Sequence, residues 1–145
     1  IRSLFGGNEK LGSYLINSQA QDWRDYRLST VLMTDSSSTG AMGVLFHFKD
    51  VENSYRFSWS RDPAYRRLER FDNGNYHLLY SDRVPYEQNV YYQIDVTLEQ
   101  SAIEVFIDGE NWASLPTSTI DSGGVGFYVH NNRGFHADGI QITAD

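Results

Sequence analysis

Hydrophobic and polar residues alternate with a period of two along most of the chain, as in β-strands whose side chains point to opposite faces. Tyr, Phe, Val, Ile and Thr dominate the alternating segments, and no ten-residue stretch carries the apolar stripe of a helix. The pattern predicts an all-β protein with strands at 25–34, 43–48, 54–60, 65–71, 76–81, 91–98, 102–108, 124–130 and 139–143.

Short turn sequences separate these segments. Asp72-Asn73-Gly74 and Asp108-Gly109 readily supply the positive φ angles of tight hairpins, and Gly123-Gly124 is a third turn. Many short strands with frequent turns predict an antiparallel β-sandwich of the jelly-roll type. We expect residues 1–145 to form a single domain, without an internal linker or repeat. Because the chain begins at Ile1 rather than Met, we expect it to be a piece of a longer protein.

The alternation also sorts side chains between the core and the opposite face of each strand. The inward set is predicted to be Phe46, Phe48, Tyr55, Phe57, Trp59, Leu68, Phe127 and Val129. If these strands share one sheet, its outer face collects His47, Arg56, Ser58, Tyr65, Arg67, Glu69, Tyr128 and His130. Among the other tryptophans, we expect Trp112 either to be exposed or to cover an edge.

Charge is distributed unevenly along the chain. Residues 55–71 hold five arginines against Asp62 and Glu69, a local balance of +3, whereas the whole protein carries −7 and the remainder therefore −10. A negative protein steers polyanions weakly, so we do not expect a nucleic-acid partner. The chain has no cysteine, and no apolar run approaches the roughly 18 residues of a membrane span, so we expect no membrane insertion.

Two interpretations of the basic outer face stay open. In a sugar site, Arg56, Arg67 and His47 would donate hydrogen bonds, Glu69 would accept them, and Tyr65 or Tyr128 would provide an apolar platform. Alternatively, the arginines and glutamate form a cross-strand ladder that contributes only to stability, at roughly 0.2–1 kcal/mol per pair.

Catalytic and transition-metal sites are not predicted. Glu104 and Asp108 share a strand face, but four residues of strand separate them by about 13 Å, which exceeds the spacing of glycosidase carboxyls. There is no G-x-S-x-G elbow. The four histidines lack the spacing of a zinc site, so neither an enzyme nor a transition-metal protein is expected.

The segment GVLFHFKDVENSYRFSWSRDPAYRRLERFDNG (43–74), together with IEVFIDG and GGVGFYVHNNRGFHADGIQI, resembles the concanavalin A-like (laminin G-like) jelly-roll modules over about residues 11–143. The resemblance implies two curved antiparallel sheets, often with saccharide bound on the concave face or rim loops. His47 stands where such modules commonly have arginine. The E-x-D-x-x-E strand motif of the related glucanases is missing.

Many modules of this type hold a structural calcium ion, for which the resemblance gives Asp138 in FHAD as the counterpart ligand. Together these observations predict a monomeric, non-catalytic carbohydrate-binding module of a larger secreted or cell-surface protein, with a polysaccharide or glycan as its partner. The alternative is a structural or protein-interaction domain of a surface adhesin.

Overall fold

The computed structural model describes residues 13–16, 23–117 and 120–144, with backbone alone for 13–16 and 144. The strands in this part of the chain are β1 (Ser13–Ile16), β2 (Tyr26–Thr34), β3 (Ala41–Asp50), β4 (Asn53–Ser60), β5 (Tyr65–Asp72), β6 (Asn75–Asp82), β7 (Tyr92–Glu99), β8 (Ala102–Ile107), β9 (Glu110–Pro116), β10 (Gly124–His130), β11 (Phe135–Ala137) and β12 (Gln141–Ala144).

The strands form two antiparallel sheets, which confirms the predicted all-β sandwich. The first sheet has the order β1-β10-β3-β4-β5-β6, and the second has the order β11-β2-β7-β8-β9, with β12 also paired to β2. Non-consecutive neighbours such as β10 and β3 show that the chain crosses between the sheets, as in a jelly roll. In the described residues there is no helix long and apolar enough to cross a bilayer.

The local sequence determines the fold most directly at the hairpin turns. Asn73 and Gly74 join β5 to β6 with φ values of 50° and 80°, and Asp108 and Gly109 join β8 to β9 with φ values of 50° and 82°. Two positive φ angles in a two-residue loop give a twist that matches the flanking strands. The predicted hairpin turns at both places are confirmed.

The core lies between the inner faces of the two sheets. Tyr55, Phe57 and Trp59 of β4 and Leu68 of β5 are at most 2% exposed, as the alternation predicts. The rings of Phe57 and Trp112 meet edge to face at 5.2 Å, so Trp112 covers the edge of the core instead of standing free in solvent. Alternation therefore predicts the inner face well wherever a strand is regular.

Three strands were not predicted from the sequence. β1, β9 and β11 are short or lie at sheet edges, where only one side is paired and little area is buried. In β9, only Ala113 is fully buried, and the other side chains are half-buried or exposed. An edge strand of this kind carries a weak period-two pattern because one face gains little from apolar residues.

Candidate functional site

The strand register of the first sheet assembles the predicted outer face around β4 and β5. Arg56 lies directly opposite Glu69, and Ser58 lies opposite Arg67. Directly opposed residues of antiparallel strands point to the same side. We call the resulting surface the arginine–tyrosine face, and we define it by Arg56, Ser58, Tyr65, Arg67, Glu69, Phe71, Tyr76, Leu78, Tyr128 and His130.

Arg56 and Glu69 form a bidentate ion pair on this face. Arg56 Nε donates to Glu69 Oε1 at 2.9 Å, and Arg56 Nη2 donates to Glu69 Oε2 at 3.1 Å. The Glu69 side chain is only 2% exposed and that of Arg56 is 17% exposed. A planar guanidinium matches a carboxylate in this fork geometry, so the pair is fixed in direction as well as in charge.

Two hydroxyl groups complete the coordination of Glu69. Ser58 Oγ donates to Glu69 Oε1 at 2.7 Å, and the Tyr76 hydroxyl donates to Oε2 at 2.6 Å. Burial would raise the pKa of Glu69, but its hydrogen bonds and the Arg56 charge outweigh burial and lower that pKa. Each carboxylate oxygen therefore accepts two hydrogen bonds, which uses its ordinary capacity.

Aromatic rings hold the Arg56 guanidinium from two sides. Its central carbon lies 4.1 Å from the ring centroid of Tyr128 and 4.8 Å from that of Phe71. Tyr128 is 7% exposed and packs with Leu45 and Phe48 in a small apolar cluster on this face. Burial raises the pKa of Tyr128, so the ring stays neutral and attracts the cation through its π-face.

Arg67 is placed differently from Arg56. Its guanidinium lies over the Tyr65 ring at 3.7 Å from the centroid, and it makes no hydrogen bond or ion pair with any residue that the structure describes. Burial raises the pKa of Tyr65 although the Arg67 charge acts to lower it. The Tyr65 ring therefore positions the Arg67 guanidinium, while the N–H groups of that guanidinium donate to no described residue.

The predicted platforms for a sugar ring are already occupied by arginine. Arg67 covers one face of Tyr65, and Arg56 covers one face of Tyr128. The apolar surface that remains open on this face belongs to β6, where Tyr76 is 48% and Leu78 is 50% exposed. Neither residue was predicted from the sequence, although the register of β5 and β6 places them opposite Phe71 and Glu69.

The prediction that His47 faces outward is wrong. A bulge interrupts the pairing of β3 after Phe46, and His47 has a φ of 43°. His47 is 2% exposed, its backbone N–H donates to the Tyr26 hydroxyl at 2.8 Å, and its Nε2 donates to the carbonyl of Arg24 at 2.8 Å. An inserted residue reverses the alternation beyond it.

The same bulge moves Phe48 to the outer face, where it joins the cluster with Tyr128, although alternation predicted it inward. His47 lines a cavity of about 60 Å³ at the end of the sandwich, together with Asp25 and Asp121. Burial lowers the pKa of His47. The structure therefore separates His47 from the arginines with which it was predicted to share a face.

His130 lies at the end of β10, opposite Ala41, and shares the outer face with Tyr128. Asn131 Nδ2 donates to His130 Nε2 at 3.2 Å. The buried Nδ1 of His130 has no partner among the described residues. His130 is thus a polar group at the rim of the arginine–tyrosine face, away from the Arg56–Glu69 pair.

Asp138, the expected calcium ligand, is exposed in the segment between β11 and β12. Its backbone N–H donates to Val31 O at 3.1 Å, and its carbonyl accepts from Thr30 Oγ1 at 3.0 Å. Residues 23–117 and 120–144 contain no group of three or more acidic, histidine or cysteine side chains placed to hold a metal ion. Calcium binding at Asp138 therefore stays a prediction.

Solved structures share this architecture over most of the chain. The carbohydrate-binding module CBM66 from Bacillus subtilis aligns with a TM-score of 0.80 at 16% sequence identity, covering 92% of this chain and 82% of that one. Galectin LEC-6 from Caenorhabditis elegans gives 0.70 at 15% identity, with coverages of 90% and 89%. CG-16, a homodimeric agglutinin from chicken liver, gives 0.69 at 13% identity, with coverages of 90% and 99%.

No protein-family model and no curated protein sequence matches the chain. At these identities the likeness to solved structures concerns the fold, and it agrees with the order and pairing of strands described above. The predicted jelly-roll sandwich is confirmed, and it is the fold that these solved structures share.

Proposed function

We propose that the chain is a non-catalytic carbohydrate-binding module that binds saccharide on the arginine–tyrosine face. The observation that carries the proposal is Arg67, a guanidinium held over the Tyr65 ring without a described carboxylate partner. Guanidinium groups donate hydrogen bonds in a planar fork that suits vicinal hydroxyls or a carboxylate. The donors of Arg67 are therefore open to a ligand on this face.

Apolar contact with a sugar ring would come from β6. The exposed surfaces of Tyr76 and Leu78 border the same face, and the Tyr76 hydroxyl is tied to Glu69 at 2.6 Å. Aromatic side chains fixed in this way supply contact area at a small entropic cost. In this arrangement Tyr65 positions Arg67 and Tyr128 positions Arg56, while Arg67, Tyr76 and Leu78 make the main contacts with the ligand.

The chemistry of the face favours binding over hydrolysis. Glycoside hydrolysis generally requires two carboxyl groups, one of which protonates the leaving oxygen. Among the described members of the face Glu69 is the one carboxyl group, and its oxygens already accept four hydrogen bonds. Its lowered pKa also opposes a role as a general acid.

The setting that we propose for the module is a larger secreted or cell-surface protein, in which it acts as a monomeric accessory domain and in which Asp138 contributes to a structural calcium site. With few polar contacts, affinity for one or two sugar residues is expected to be modest. Repeated copies or attachment to an enzyme with the same substrate would raise the effective affinity.

A glycan array, screened with and without a calcium chelator, tests the proposal. The critical variant is Arg67→Ala, which we expect to weaken binding by about 10- to 100-fold because a charge-assisted hydrogen bond contributes about 1.5–3 kcal/mol. The matched control is Arg27→Ala, which removes the same charge from the second sheet, where Arg27 is 57% exposed. Equal effects of the two variants, or unchanged binding, would contradict the proposed site.

The alternative function is a structural or protein-interaction domain. It is favoured by the Arg56–Glu69 pair, which is bidentate and nearly buried, as a purely stabilising cross-strand ladder would be. This alternative predicts that the wild-type protein binds no glycan and that Arg67→Ala acts on the melting temperature alone. Measuring both quantities on the same variant separates the two functions.

A further inference from the structure

The arginine–tyrosine face has a surplus of hydrogen-bond donors. Arg67 has five N–H groups and no described acceptor for any of them. Arg56 uses Nε and Nη2 on Glu69, whereas its Nη1 makes no hydrogen bond with a described residue, and its side chain keeps 17% exposure. Two guanidinium groups thus direct unused donors to the same surface.

The one charged acceptor on the same face is already engaged. Glu69 accepts from Arg56, Ser58 and Tyr76, with two hydrogen bonds on each oxygen. Burial and the hydrogen bond to Glu69 raise the pKa of Tyr76, so its hydroxyl stays protonated and continues to donate. The one carboxylate of the described face is therefore occupied by the protein itself.

This imbalance discriminates between neutral and acidic sugars. A sugar hydroxyl both donates and accepts, and in a site without free strong acceptors its proton gains no charged partner. A carboxylate or sulfate group only accepts, and it pairs best with guanidinium groups. Two arginines against one glutamate leave this face with a local charge of +1, while the whole protein carries −7.

Resting on the proposed function, we infer that the saccharide bound by this face is acidic, with its carboxylate or sulfate group hydrogen-bonded to Arg67 and to the free Nη1 of Arg56. Tyr65 and Glu69 position these two donors, through the cation–π contact at 3.7 Å and the bidentate ion pair. Tyr76 and Leu78 contact the ring that carries the anion. The surrounding negative charge disfavours long polyanions, so the ligand is a short acidic oligosaccharide.

The test compares each acidic oligosaccharide with its own neutral form. Oligogalacturonate, hyaluronan and alginate oligomers are measured beside their carboxyl-reduced products, and chondroitin sulfate oligomers beside their desulfated products, by titration calorimetry at low salt. We expect at least one acidic member to bind about 10-fold more tightly than its neutral counterpart, because a charged acceptor strengthens the hydrogen bonds. The carboxyl and sulfate arms identify the acidic group.

Two variants connect the preference to the proposed residues. Arg67→Gln keeps donors but removes the charge, so the acidic preference should fall to about 3-fold or less. Arg27→Gln, on the other sheet, should leave the preference unchanged, and melting curves of both variants confirm that they are folded. The inference is overturned if the neutral forms bind as tightly as the acidic ones, a result that leaves the proposed function intact. Absence of binding to any saccharide overturns both.

Discussion

Replacing Glu69 with Gln is the sharpest perturbation of the arginine–tyrosine face. The substitution preserves the shape of the side chain, but an amide NH₂ group then faces Arg56 Nη2 and the Tyr76 hydroxyl, which both donate to Oε2 in the wild type. Two donors lose their acceptor, and the Arg56 guanidinium loses its counter-charge between the rings of Tyr128 and Phe71. The change therefore removes charge and acceptors without creating a cavity.

The expected cost follows from these contacts. Two hydrogen bonds to a charged group are worth about 3–6 kcal/mol together. Breaking a buried ion pair on one side costs about 3–5 kcal/mol. Because Arg56 keeps 17% exposure and can recover some hydration, we expect the lower end, about 3 kcal/mol. For a chain of this size that loss lowers the melting temperature by roughly 6–12 °C.

Urea denaturation of a double-mutant cycle measures the interaction directly. The cycle comprises Glu69→Gln, Arg56→Met and the double variant, all at neutral pH. Because each single change leaves the other partner without its counter-charge, the double variant should cost less than the sum of the singles by about 2 kcal/mol. The slope of the unfolding free energy against urea should stay constant, which indicates that the exposed area on unfolding is unchanged.

Two results would contradict the expected coupling between Arg56 and Glu69. One is a cost below about 1 kcal/mol for Glu69→Gln, the range of an exposed ion pair. The other is additivity within about 0.5 kcal/mol, the behaviour of independent sites. A pH titration provides a further check, because the lowered pKa of Glu69 means that its contribution is present above the unfolded pKa and is lost as the pH falls through the folded pKa.

Three further predictions concern other parts of the fold. Gly123→Ala should destabilise the protein strongly, since φ is 147° and a Cβ would lie 2.4 Å from the His47 carbonyl carbon. Gly109→Ala, at a φ of 82° with open space around it, should cost about 1 kcal/mol. Equal losses of unfolding free energy for the two variants in urea denaturation would contradict this prediction. Because burial lowers the pKa of His47, stability should fall as the pH drops below the unfolded value of about 6.5, and His47→Asn should flatten that profile between pH 7 and 5. Hydrogen bonds from Ser37 and His136 lower the pKa of Asp35 to about 2, so its contribution should disappear between about pH 4 and 2; Asp35→Asn should reduce the slope of the melting temperature there.

The fold was predictable because it depends on local patterns. Period-two alternation placed Tyr55, Phe57 and Trp59 inward, and Asn73-Gly74 and Asp108-Gly109 marked two hairpin turns. Both depend on neighbouring residues alone: a pleated strand alternates its side chains, and a tight turn requires positive φ. Arg56, Tyr65, Arg67, Glu69 and Tyr128 accordingly share a face, as the sequence indicates.

The bulge at His47 was not predictable from alternation. Histidine adopts a positive φ more often than most non-glycine residues, but such an angle is still uncommon for it, and no turn sequence marks the position. The bulge is supported by distant groups, the Tyr26 hydroxyl and the Arg24 carbonyl, which bind His47 from another part of the chain. One inserted residue then reverses the direction of Phe48 and removes His47 from the candidate site.

The sequence alone predicts most of the strands, most of their inner faces and the grouping of basic and aromatic residues on one surface, because each of these follows from local periodicity. Which arginine is paired and which is free depends on tertiary contacts. Arg56 meets Glu69 because strand register places them directly opposite each other, whereas the same register gives Arg67 a serine partner. Register depends on core packing and on the geometry of the turns, so alternation alone does not fix which residues stand opposite each other.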